Sequence, residues 1–358
     1  MPATHFTDET FPKVELHVHL EGAIRPETIW DVSQKRGIRV AENDSLEELR
    51  SHLVDWSAGD LATFLHQFTH FMPCIAGSRE VAKRISYEMC EDLSKQGVVY
   101  FEMRYAPHLL ANSPGVEPVF QQAPGDVTPR DIVQAVNEGI HDGERDFGIQ
   151  ARSILCLLRE RPEWSAEVLN LCKEFHNDTV VGIDLANNEA IPLYEEHVNA
   201  FKGALSAGIH RTCHAAEMGP AENVRTAVQK LYAERIGHGY QMLGHDDVIK
   251  LVKDKNIHVE VCPTSSTRTG AQETDFTMHS AHRFLKEGLN LSFNTDDPTL
   301  FGCTMTKEFG IARTHFGMND VDLAKMTLNA ARSCFLPDDQ RDKLVIKLED
   351  KFSDILKQ

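Results

Sequence analysis

The stretch Lys13-Val14-Glu15-Leu16-His17-Val18-His19-Leu20-Glu21-Gly22 decides how the rest of the chain is read. In an extended strand His17 and His19 project to one face while Val18 and Leu20 project to the other. Two imidazoles on one strand are the start of a divalent-metal site, although a His-x-His pair on an apolar strand also occurs as hydrogen-bonded core histidines. The remainder of the chain must supply the missing ligands.

Outward from this stretch, short apolar runs rich in β-branched residues recur at 98–105, 152–158, 180–186, 210–215, 235–238, 258–262 and 289–295, after the first at 14–20. Amphipathic helical stretches separate them. Eight strands alternating with helices predict an α/β fold of the (β/α)8 TIM-barrel class, with residues 1–358 forming a single metal-dependent barrel domain. The structural rival is a doubly wound open sheet, but no Gly-x-Gly-x-x-Gly turn follows any of these strands. The connection from the first strand to the second, about 22–96, is too long for a loop and one helix and predicts a helical insertion. Within it Leu61, Phe64, Leu65, Phe68, Phe71 and Met72 recur at helical spacing and end at Pro73. They read either as a helix packed on the barrel or as a lid whose aromatics close over a flat ligand. Residues 112–129, rich in Pro, Gly and Gln, read as a loop, and the charged run after Asp338 as a helix with a solvated face.

A chain of 358 residues that is 41% hydrophobic and 25% charged is long enough to bury a large core. Its net charge of −17 argues against a nucleic-acid surface, which would carry a basic face. The start Met1-Pro2-Ala3-Thr4-His5 has no basic cluster followed by an apolar run, and no later segment has the apolar length of a membrane span. The expectation is an unexported, cytoplasmic monomer with no membrane partner and a small-molecule substrate. Eight cysteines are scattered at 74, 90, 156, 172, 213, 262, 303 and 334 without a Cys-x-x-Cys, as expected of buried thiols in a reducing compartment.

Barrels of this kind place catalytic groups at the C-terminal ends of their strands. Here the first strand ends with His17 and His19, the fifth with His214 and then Glu217, the sixth with His238, and the eighth with Asp296 and Asp297. Each has an ordinary explanation: His214 as a core histidine, Glu217 as a helix N-terminal carboxylate, Asp296-Asp297-Pro298 as a turn or cap. Together, at one end of one barrel, they point to chemistry. His17, His19, His214 and Asp296 form a donor set suited to one zinc ion, with water completing the sphere. A divalent ion lowers the pKa of bound water from about 16 toward about 7. His238 would accept the proton of that water or hold it in line. Glu217, as a protonated carboxyl, would give a proton to a ring nitrogen as hydroxide adds to the adjacent carbon. Asp297, free of the metal, would receive a hydrogen bond from the substrate. The set suits hydrolysis of an amidine-like C–N bond in a planar heterocycle.

Residues 13 to 22, His-Ala-Ala-Glu (214 to 217), Arg-Ile-Gly-His-Gly-Tyr (235 to 240) and Ser-Phe-Asn-Thr-Asp-Asp-Pro (292 to 298) resemble the motifs of the adenosine deaminase family, animal type, within the amidohydrolase superfamily. The likeness runs through nearly the whole chain, including Tyr105-Ala106-Pro107-His108 and Ala330-Ala331-Arg332-Ser333. It implies zinc-dependent hydrolytic deamination of adenosine and 2'-deoxyadenosine at C6, giving inosine or 2'-deoxyinosine and ammonia. Carried across, His17, His19, His214 and Asp296 match the zinc ligands. Glu217 matches the proton donor to purine N1, His238 the residue that activates hydroxide, and Asp297 the carboxylate that contacts N7. Phe64 and Phe68 fall where the family's lid brings aromatics near the ligand, and His19, Glu21 and Asn187 join the nucleoside contacts.

Three positions depart from the family pattern. Glu21 stands where Asp is usual, at a position associated with the ribose 5'-hydroxyl. Ala216 replaces the Gly of His-Ala-Gly-Glu, and Asn187 the Gly of Asp-Leu-Ala-Gly, whose backbone N–H meets N3. These changes are expected to alter kinetics or substrate range and to leave the chemistry intact. The alternatives are a deaminase of adenine or of a 5'-modified adenosine, and a catalytically impaired nucleoside-binding homologue. Cytidine-deaminase chemistry would need a Pro-Cys-x-x-Cys motif, which the sequence lacks.

Overall fold

Eight parallel strands lie side by side in chain order in the computed structural model: β1 (Lys13–His19), β2 (Val98–Tyr105), β3 (Gln150–Leu158), β4 (Val180–Ala186), β5 (His210–Ala215), β6 (Arg235–His238), β7 (His258–Val261) and β8 (Leu291–Phe293). The structure describes residues 6–40, 45–54 and 61–357; the chain start at 1–5 and parts of the insertion, 41–44 and 55–60, lie outside the described residues. Every expected strand is present, the last one shorter than expected. The ring is joined between β8 and β1 by a parallel bridge at Val18 and Asp296. There the His19 N–H donates to the Asp296 carbonyl at 2.7 Å, and the Asp296 N–H donates to the His17 carbonyl at 2.9 Å. The seam of the barrel therefore fixes the register of three of the expected metal ligands.

The outer ring of helices follows from local signals. The helix Pro129–Phe147 starts at a capping box formed by Thr128 and Asp131, has Pro at its first position, and ends at Gly148 in the left-handed conformation. Its Gly139 and Gly143 face the helix Arg79–Lys95 so closely that a Cβ at Gly139 would lie 2.3 Å from the Lys83 carbonyl and one at Gly143 2.7 Å from Cys90 Sγ. Small residues here let two helices on one side of the barrel lie in contact.

Between β1 and the helix Arg79–Lys95 come the shorter helices Pro26–Arg36, Leu46–Val54, Leu61–Gln67 and Met72–Ile75. The single helix expected over Leu61 to Pro73 is instead three pieces, with a 3-10 turn at Phe68–His70 and Pro73 inside the first turn of the next helix. Proline needs no N–H partner in a first turn, so it restarts the helix rather than closing the segment. Both readings of these residues hold in part: Phe71 and Met72 are core, while Leu61, Phe64, Leu65 and Phe68 face a pocket. Residues 112–128 form the expected loop. The helix Asp338–Lys351 has the expected solvated face and buries Leu344 and Leu348 on the other; just beyond it Phe352, packed on Phe6 and Phe11, and Ile355 are buried as well. Among the described residues no helix is long and apolar enough to cross a membrane. All eight cysteines are buried and unpaired.

Candidate active site

A cavity of about 440 Å3 opens at the C-terminal ends of the strands, within the range of small-molecule sites. Its floor and walls include His19, Glu21, Asn187, His214, Glu217, His238, Asp296 and Asp297, and Phe64 and Phe68 face it from the insertion. Every expected site residue but His17 lines it. His17 is fully buried just beneath, in van der Waals range of the other rings, its centroid 4.6 Å from that of His214 and 4.7 Å from that of His238. Phe64 stacks on Phe301 at 4.7 Å, which leaves the wall apolar on this side.

The ligating atoms of His17, His19, His214 and Asp296 all lie within 4.8 Å of one another. His19 Nε2 and His214 Nε2 are 3.2 Å apart, and Asp296 Oδ1 lies 3.2 Å from His17 Nε2 and 3.4 Å from His19 Nε2. Among the described residues His17 Nε2 is buried without a hydrogen-bond partner. Lone-pair atoms converging on one point, one of them buried and unpartnered, fit a cation. The far side of two rings is anchored as a metal site requires: His17 Nδ1 is 2.7 Å from Glu260 Oε2, and His214 Nδ1 is 2.9 Å from Asp184 Oδ2. Glu260 places the His17 ring proton on Nδ1 and turns its Nε2 toward the shared point, and Asp184 stands against the far side of His214 as a charge contact. Burial alone would raise Asp184 and Glu260, but His214 and Arg104 hold Asp184 below the usual carboxylate range, and Arg104 and Arg235 hold Glu260 well below it. Asp296 is likewise held well below, against burial, by His17. Three ionised carboxylates around the imidazoles make a field that favours a cation. A second group, His17, His238, Cys262 and Asp296, meets the same spacing, but burial and then Asp296 push the Cys262 thiol well above its usual range, a poor start for a thiolate ligand.

Arg104, Asp184 and Glu260 were not anticipated as site residues. Arg104, on β2 and fully buried, donates to Asp184 at 3.0 Å, to Glu260 at 2.7 Å and to the Leu16 carbonyl at 2.7 Å. The signal in the sequence is a charged residue inside an otherwise apolar strand, at an alternation position that faces the barrel interior. Ser265 was also missed; its hydroxyl donates to Asp296 Oδ2 at 2.7 Å.

Beside the four ligands stand the proton-transfer candidates. Burial, and after it the charge of Asp296, pushes the Glu217 carboxyl up to about 8, so it holds a proton at neutral pH. Burial and the neighbouring His17 hold His238 well below the usual imidazole range, so it is neutral and free to accept a proton. The two are 3.7 Å apart, Nε2 to Oε2. Asp297 is pushed well above its usual range by burial and by Asp296, and its Oδ1 is buried without a partner among the described residues. Glu21, raised to about 7 by burial, accepts a hydrogen bond from the Ala106 N–H at 3.0 Å.

Four residues at these strand ends have left-handed backbones although none is glycine: Asn187 (φ 78°), Ala216 (φ 56°), His238 (φ 69°) and Asp296 (φ 64°). Such conformations cost about 1–3 kcal/mol each and gather at functional sites. Ala216 and Asn187 thus stand where glycine would be easiest. Ala216 is fully buried and does not line the pocket, so its methyl does not crowd a ligand.

The family model for adenosine deaminase matches residues 12–351. The adenosine deaminase of Xenopus tropicalis is 48% identical over 348 residues, 96% of this chain and 97% of that one. Among solved structures, adenine deaminase from Arthrobacter aurescens superposes with a TM-score of 0.82 at 26% identity, covering 96% of this chain and 99% of that one. An amidohydrolase from Burkholderia ambifaria, with bound Zn, gives 0.84 at 26% identity, covering 98% and 95%.

Proposed function

This chain belongs to the adenosine deaminase family of C–N hydrolases, and on that premise we propose that it hydrolyses adenosine and 2'-deoxyadenosine to inosine or 2'-deoxyinosine and ammonia, with one zinc ion held by His17, His19, His214 and Asp296. The observation that carries the reading is the convergence of those four donors at the floor of a pocket that also holds a protonated Glu217 and a neutral His238. The bound Zn of the Burkholderia ambifaria neighbour supports the choice of metal. A divalent ion, when bound, supplies the Lewis acidity that makes water a nucleophile at neutral pH.

The side chains divide the proton work. His238 takes one proton of the attacking water as its oxygen adds to purine C6, and Glu217 hands its proton to N1, so the ring never carries the full negative charge. His238 then returns its proton to the amino group, which leaves as ammonia, while Glu217 recovers a proton from the C6 hydroxyl. Asp297 donates to N7, whose lone pair can only accept, and the burial and Asp296 charge that disfavour its anion support that role. Phe64 and Phe68 cover the purine, the Asn187 N–H meets N3, and Glu21 faces the ribose 5' end.

A second reading, deamination of adenine or of a 5'-modified adenosine, is favoured by the Arthrobacter aurescens neighbour and by Glu21. Parallel assays with adenosine, 2'-deoxyadenosine, adenine and 5'-methylthioadenosine separate the two, the expected outcome being turnover of the first pair with adenine inert. We take the working form to be a monomeric single-domain enzyme of the cytoplasm, with eight unpaired buried thiols and a net charge of −17 as support for a reducing compartment and against a nucleic-acid partner.

A further inference from the structure

Glu189 lies in the turn after β4, outside the pocket wall, and is 8% exposed. Its carboxylate accepts five hydrogen bonds. Oε2 takes the Ala216 N–H at 2.7 Å and Asn223 Nδ2–H at 2.7 Å; Oε1 takes the N–H groups of Glu217 at 2.7 Å, Met218 at 3.2 Å and Gly219 at 3.2 Å. Four successive amides point at one carboxylate because the left-handed turn at Ala216 curls the backbone into an anion-binding concavity.

This cradle matters for what it carries. β5 ends at Ala215 and the next helix starts at Glu222, so residues 216–221 have no helix or strand to hold them. Among the described residues the Glu217 carboxyl itself receives one hydrogen bond from a side chain, Thr269 Oγ1, at a long 3.3 Å. On the other side of the loop Gln241 donates from its backbone N–H to the Ala216 carbonyl at 2.9 Å and from Nε2 to the Glu217 carbonyl at 3.2 Å. The aim of Glu217 is therefore set by its backbone, and the N–H side of that backbone is held by Glu189.

We propose that Glu189 is a positioning residue that acts through Glu217: by gathering the amides of residues 216–219 it fixes the loop that presents the Glu217 carboxyl to the ring nitrogen. The proposal rests on the reading of Glu217 as proton donor. No motif in the sequence marks Glu189, which lies 27 residues from Ala216 along the chain.

The test is a double-mutant cycle on the metal-loaded enzyme, with kcat and KM for adenosine measured for wild type, Glu189→Gln, Glu217→Gln and the double variant. Glutamine keeps the shape but turns an N–H group onto amide N–H groups. Glu189→Gln is expected to lower kcat by about 10–100-fold, to change KM by less than about threefold, to leave metal content unchanged and to speed hydrogen exchange at 216–219. In the Glu217→Gln background the same substitution should lower kcat by less than about twofold, since the group it positions is already gone. An unchanged kcat in Glu189→Gln, or an equal loss in both backgrounds, overturns the proposal. A Glu217→Gln variant as active as wild type overturns instead the proton-donor reading beneath it. Should Glu189→Gln fail to fold, Asn223→Ala removes one of the five donors; a loss of about threefold that vanishes in the Glu217→Gln background supports the proposal, and a loss equal in both overturns it.

Discussion

Gly22→Ala is the substitution with the sharpest geometric consequence. Gly22 lies in the 3-10 turn Glu21–Ala23 directly after β1, and a Cβ built on it would sit 1.7 Å from Asp297 Oδ1, 2.4 Å from its Cγ and 2.5 Å from its Cβ. All three nearest atoms belong to one buried side chain, so the overlap is relieved only if Asp297 leaves its rotamer or the turn backs away. Overpacking of this kind costs about 1–3 kcal/mol of stability. At about 2–4 °C per kcal/mol for a large domain, the melting temperature falls by several degrees while the fold survives. The effect on activity is larger. A displaced Asp297 leaves the purine N7 it is proposed to contact unpaired in a buried site, which costs about 1–3 kcal/mol, so kcat/KM for adenosine falls by roughly 5–150-fold. Calorimetry and the ultraviolet change on deamination read the two effects separately. If Gly22→Ala kept kcat/KM within about twofold and melted with the wild type, Asp297 would not sit against Gly22 in the working enzyme, and its proposed contact with the ring would fall.

Other perturbations test other parts of the molecule. Ala216→Gly relieves a left-handed alanine, worth about 1–2 kcal/mol, but gives up roughly 0.4–1 kcal/mol of unfolded-state restriction and about 0.8 kcal/mol of buried methyl, so stability should stay within about 1 kcal/mol by denaturant titration. A large gain would mean that the turn is strained beyond its φ angle. Arg104→Met leaves Asp184 and Glu260 buried against each other without their shared guanidinium and should destabilise by about 3–5 kcal/mol, with loss of bound metal; a variant that melts normally with full metal content contradicts this role. His258 is buried neutral between Asn290 and Ser292, its pKa lowered to about 4 chiefly by burial, so the unfolded chain binds the extra proton below pH 6.5. Stability is then fully present above pH 6.5 and falls by about 3 kcal/mol as pH drops toward 4; His258→Gln should flatten that slope in urea titrations, and an unaltered slope would exclude His258 as its source.

Much of this was legible in the primary sequence because it is local. Alternation along 13–20 is enough to place His17 and His19 on one face, and the eight strand runs are enough to put His214, His238 and Asp296 at one end of a barrel. What the sequence hid depends on pairs far apart in the chain. Arg104 and Glu260 meet across 156 residues, and nothing near either of them announces the other. The broken helix at Phe68–His70 differs from the reading for a related reason. Helical periodicity shows which residues share a face, whereas packing against the barrel decides whether the helix stays continuous and which face is covered.

The most direct measurement follows the ultraviolet spectrum of adenosine incubated with metal-analysed protein, wild type and Glu217→Gln side by side. Conversion to inosine by the wild type is expected, with a loss of about 10²–10⁴-fold in the variant at unchanged metal content. Adenosine left intact by the metal-loaded wild type, or turned over as fast by Glu217→Gln, would contradict that expectation.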